Sequence, residues 1–101
     1  MIVKSLNGTG YNYPKPKCGC SDWIDHWETN MNSATKCYAC GKKNTKLVGG
    51  HVKKCNSNDN SFYIIPLCSS CNDKDPFEFE CQSSDLVPAA REKCIKVMFD
   101  I

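Results

Sequence analysis

A chain of 101 residues, 41% hydrophobic and 24% charged, has the size of one domain, and its thin aliphatic inventory excludes a large hydrophobic core. Nine cysteines imply that cross-linking supplements burial, through disulfides or through metal. The net charge of +2 is unevenly spread: six lysines and no acid lie between Thr29 and Asn58, and six acids face Lys74 alone between Asp59 and Asp85.

Residues 1–17 contain Gly8, Gly10, Pro14 and Pro16 beside Tyr11 and Tyr13, a composition that resists helix and predicts an extended lead-in. The opening residues show no apolar stretch followed by a small-residue cleavage site, and no later run is long enough to span a bilayer. The expectation is a soluble, intracellular, cytoplasmic protein with no membrane partner. In a reducing compartment, and with an odd cysteine total, metal explains the thiols better than a closed set of disulfides.

A short amphipathic helix is predicted from about residue 21 to 30, with Ser21 as candidate N-cap, acids in the first turn, and Trp23 and Trp27 four apart on one face. A polar loop follows to Lys36. Cys37-Tyr38-Ala39-Cys40-Gly41 has the chemistry of a zinc knuckle: two thiolates separated by two residues reach one ion across a tight turn, and the glycine is free to take positive φ. Leu47-Val48, His51-Val52 and Phe62 to Ile65 predict a hairpin with its tip at Asn56 to Asn60. Cys68-Ser69-Ser70-Cys71 then falls at a predicted helix start, stopped soon by Pro76. Phe77 to Cys81 alternates as a strand, with Glu78 and Glu80 on one solvated face. A weak helix or turn from Pro88 to Val97 closes the chain, leaving Ile95, Val97 and Phe99 available to the core.

The spacing Cys37-x2-Cys40-x27-Cys68-x2-Cys71 is the specific signal. Each pair chelates alone, and the intervening length suits a hairpin that returns the second pair to the first. Four thiolates at about 2.3 Å close a tetrahedral shell around one zinc, leaving no position for water, so the ion is structural rather than catalytic.

The order knuckle, hairpin, helix bearing the second pair resembles the treble-clef zinc fingers over residues 37–75, on the motifs Cys37-x-x-Cys40-Gly41 and Leu67-Cys68-x-x-Cys71-Asn72. The resemblance implies a small α+β treble-clef domain, here spanning 1–101 with an added N-terminal helix and an extra strand. Within that family the chain is most similar to the HNH, or ββα-metal, nucleases of endonuclease VII type. Gly49-Gly50-His51-Val52 resembles the strand that carries their general base, which implies His51 as base and Asn72 as a ligand of the catalytic cation. Gly50 stands where another cation ligand belongs, and glycine offers no side-chain oxygen. Tyr63 occupies the place of the family's middle asparagine, although Asn58, Asp59 or Asn60 could substitute. The expectation is therefore binding without cleavage, with a metal-dependent HNH-type endonuclease as the alternative.

Cys18, Cys20, His26 and His51 are four further ligands outside the first set, enough for a second zinc that would fasten the lead-in to the hairpin. The bland alternatives are an interfacial His26 beside the tryptophans and a core His51. Cys55, Cys81 and Cys94 have no partner at ligand spacing, and Cys81 and Cys94 are expected to be buried apolar thiols. Lys42, Lys43, Lys46, Lys53 and Lys54 around the knuckle and hairpin fit a phosphate-contacting surface for DNA or RNA. A protein-interaction adaptor using Tyr38 and Tyr63 is the competing binding module.

Overall fold

The computed structural model describes residues 1–6 and 13–94. The expectation for Ile95, Val97 and Phe99 lies outside those residues. The fold is small α+β: strands β1 (Ile2–Ser5), β2 (Leu47–Lys54), β3 (Tyr63–Cys68), β4 (Glu78–Glu80) and β5 (Val87–Pro88) form one sheet, with helices α1 (Trp23–Asn30) and α2 (Ser69–Asn72). The sheet order is β4-β1-β2-β3-β5 and every pairing is antiparallel.

The expected lead-in is thus in part a sheet strand, flanked on both sides. Ile-Val-Lys-Ser has no apolar alternation to announce it, because the second inward residue is Ser5, fully buried beside Val3. The expected hairpin forms with the register Leu47↔Cys68 through Val52↔Tyr63, while Phe62 falls just outside β3 and is exposed.

Residues paired across antiparallel strands point to the same side of a sheet. Gly49 and His51 on β2 therefore share a face with Pro66 and Ile64 on β3, and Val52 lies on the other face with Tyr63. Val3, Val52, Ile65 and Leu67 pack on that second face with Cys37, Cys68 and Cys71. Ile64 and Val87 pack with Trp27 of α1 on the first. Burial on both faces is why β3 reads as a continuous apolar run.

Helix α1 is capped by Asp22 rather than Ser21: Asp22 Oδ1 accepts from the Asp25 amide at 2.8 Å, and the Ser21 amide and hydroxyl both donate to Asp25 Oδ2. Such a cap contributes about 1 kcal/mol. The helix lies against β2 at Gly49, where an added Cβ would come within 2.6 Å of Trp23 Cβ and 2.7 Å of the Ile24 amide, and closer still to the Trp23 carbonyl carbon. Contacts that close admit only glycine. Trp27 Nε1 anchors the other end by donating to the Asp85 carbonyl at 2.8 Å.

Candidate metal centres

Cys37 and Cys40 sit on a tight turn in which the Gly41 amide donates to the Cys37 carbonyl at 2.8 Å, with Gly41 at φ +78°. Cys68 ends β3 and caps α2, and Cys71 lies inside α2. The Tyr38 amide donates to the Pro66 carbonyl at 3.0 Å, tying the turn to β3. The ligand atoms of Cys37, Cys40, Cys68 and Cys71 then all lie within 4.8 Å of one another, and the Cys40 and Cys68 sulfurs are 3.8 Å apart. Two sulfurs bound at ~2.3 Å to a tetrahedral ion are separated by about 3.8 Å, so the donors present fit such an ion.

The second group is Cys18, Cys20, His26 and Cys94, again within 4.8 Å. Gly19, at φ +89°, turns the chain between its two cysteines. His26 is fully buried on α1. Its Nε2 is 2.9 Å from the Pro88 carbonyl, which can only accept, so in the neutral ring Nε2 carries the proton. Nδ1 then presents a lone pair to the Cys18 and Cys94 sulfurs at 3.1 and 3.3 Å. A ring held this way by a carbonyl is the usual support for a metal-binding histidine. Asn30, one turn along the same helix face, donates to the Cys94 sulfur at 3.1 Å and to the His26 carbonyl at 2.8 Å. Cys18 and Cys20 sulfurs are 3.1 Å apart, and none of the nine cysteines is disulfide-bonded.

Membership of the second group differs by one residue from the sequence expectation. Cys94 stands where His51 was expected, and it is a cluster thiol rather than an isolated apolar one. His51 lies on the same α1 side of β2, but its ring is taken up by Tyr13 stacked on it and Trp23 edge-on to it.

The thiols in each group are electrostatically unequal. Burial raises the Cys37 thiol, but backbone amides of Cys68, Cys40 and Ala39 more than offset it and bring it down to about 7. Burial and the neighbouring thiols of Cys68, Cys37 and Cys40 push Cys71 up to about 12. In the second group burial is likewise outweighed at Cys18 by the Cys94 and Cys20 thiols and the Cys20 amide, bringing it to about 6, while burial and Cys18 raise Cys20 to about 12. Thiols packed this closely oppose one another's ionisation, and a divalent ion between them would remove that opposition.

His51 is 3% exposed. Tyr13 stacks on its ring at 3.6 Å between centroids with planes 6° apart, and Trp23 meets it edge-on at 4.6 Å. Burial, with His26 nearby, pushes its pKa down to about 4. Asn72 ends α2 with a buried Oδ1 that has no hydrogen-bond partner among the described residues. Asp59 is engaged by the Tyr63 hydroxyl, the Ser61 amide and Lys54. Among the described residues, no acidic side chain lines the cavity beside His51.

Of the five lysines singled out, Lys42, Lys43 and Lys46 are exposed on the loop between the knuckle turn and β2. Lys53 and Lys54 are half-buried, with their ammonium groups 5.0 Å from the Phe62 ring and 4.7 Å from the Tyr63 ring, and Lys54 lies 3.4 Å from Asp59.

Comparison with protein-family models, curated proteins and solved structures finds no match. No helix among the described residues is long and apolar enough to cross a membrane.

Proposed function

We propose that this chain is a two-zinc module of treble-clef type that binds nucleic acid without cleaving it. The observation that carries the first part is the gathering of seven thiols and one imidazole into two groups of four, from segments far apart in sequence. Both would be closed shells, so the ions would hold the fold rather than react. The knuckle turn, β2–β3 hairpin and α2 support the treble-clef reading. Native mass spectrometry of the purified protein with metal analysis is expected to show two zinc ions. Cys94→Ser should retain one and His51→Ala both; two ions in Cys94→Ser and one in His51→Ala would reverse the assignment.

The nucleic-acid reading is favoured by Lys42, Lys43 and Lys46, which are exposed with no acidic partner among the described residues. The adaptor alternative is weakened at its named residues: Tyr38 packs beside Trp27 under Lys36, and Tyr63 is bound to Asp59. A working nuclease is disfavoured by the rings covering His51 and by helix α1 seated on Gly49. With fluorescent DNA and magnesium or manganese present, the expected result is binding of uncut strand whose affinity falls steeply with salt, the log–log slope being about −0.9 per phosphate neutralised on duplex. Substituting all three lysines by glutamate should abolish binding of duplex DNA. A salt-independent interaction would transfer the proposal to a protein partner, and cleavage lost in His51→Ala would restore the nuclease.

A further inference from the structure

Beside His51 lies a cavity of about 360 Å³, within the ~300–1,000 Å³ range of small-molecule sites. Its floor and one side are aromatic: His51, Tyr13, Trp23 and Phe62. Tyr13 meets Phe62 edge-on at 5.7 Å, and Phe62 is 38% exposed. Two exposed lysines, Lys15 and Lys17, line the cavity, and outside the lining the Lys53 ammonium stands 5.0 Å from the Phe62 ring. An aromatic box can in principle hold a cation, but lysines at the mouth of this one oppose that. They favour a planar ring that carries an anion.

We propose that this cavity binds a nucleoside monophosphate unit, its base against the aromatic side chains and its phosphate against Lys15, Lys17 and Lys53. The two contributions are the pair that single-stranded recognition combines, stacking on aromatic rings and lysines along the phosphate. The unit is either a free nucleotide or one residue of a single strand.

The cavity is assembled by the second ligand group, and in this respect the inference rests on reading that group as a metal site. Tyr13 to Lys17 lead directly into Cys18. Trp23 stands between Cys20 and His26, and edge-on to the His26 ring at 5.3 Å. Ala89 and Ala90, which complete the lining, precede Cys94 and follow Pro88, the carbonyl that holds His26. Of the described residues lining the cavity, His51, Ser61 and Phe62 come from the hairpin. One ion shared by Cys18, Cys20, His26 and Cys94 would clamp the other three walls onto it.

Titrating the zinc-loaded full chain with AMP, adenosine and a short single-stranded oligonucleotide, and following tryptophan emission, tests this. AMP should give a saturable change through Trp23, with adenosine at least tenfold weaker. Phe62→Ala, at an exposed ring, should weaken AMP about tenfold, and Lys15→Glu several-fold, while Lys74→Glu, the same charge change elsewhere, leaves it unaltered. Tenfold tighter binding of the oligonucleotide assigns a strand, and equal binding assigns the free nucleotide. Cys94→Ser should lose one ion and the AMP response together. With two ions verified, the absence of any saturable response, or one indifferent to Phe62→Ala, overturns the nucleotide site and leaves the two-zinc reading standing. A response that survives loss of the second ion overturns the clamp.

Discussion

Cys68→Ser is expected to leave the protein unfolded at 25 °C. Cys68 closes β3, pairs with Leu47 and caps α2, so on the zinc proposal losing its thiolate would release the ion at the junction of three elements. Structural zinc contributes roughly 10–16 kcal/mol in small domains, as much as the whole ~5–15 kcal/mol by which a domain is ordinarily stable. The variant should lose far-UV structure and the first ion together. Cys55→Ser, outside both groups, should melt like the parent, within about 0.5 kcal/mol. A folded Cys68→Ser protein with an unchanged melting curve would remove the structural role assigned to the four sulfurs.

The second large effect is expected from a single methyl group. Gly49→Ala places a Cβ into the backbone of the first turn of α1, and backbone cannot rotate aside as a side chain can. Overpacking of this kind costs about 1–3 kcal/mol, here at the upper end, and a domain of this length loses about 4–8 °C of Tm per kcal/mol. The helix should lift from β2, carrying Trp23 away from His51, so tryptophan emission should shift to the red before the main transition. An alanine variant with parental Tm and emission would mean that the helix is not held there.

Gly49 also shows what the sequence could and could not disclose. Gly49-Gly50-His51-Val52 resembles the base strand of an HNH nuclease with a ligand missing at Gly50, whereas at the neighbouring Gly49 the fold uses the absence of a side chain to seat a helix. The first cysteine group was legible because two Cys-x2-Cys pairs carry their geometry in their spacing, and the hairpin between them has strong turn chemistry. Cys94 carried no such sign. It reaches Cys18 across most of the chain, and only the sheet and α1 bring them together; in the sequence His51 stands out in its place because it is the one other imidazole. Strand β1 was obscured by Ser5, a polar residue turned inward. The aromatic cavity was equally hidden, since Tyr13 and Phe62 meet only when the lead-in crosses the hairpin.

The interior place of β1 governs how the chain is completed during synthesis. It is made before both strands it pairs with, neither of which is complete until Lys54 and Glu80 have been added, and pairings so remote in sequence close slowly. On the two-zinc proposal, the emerging polypeptide would load an ion at its four thiols once Cys71 is out, while the other set would wait for Cys94. If both groups hold metal, loading would follow translation order, and a product that stops before Cys94 would carry one ion and an open lead-in.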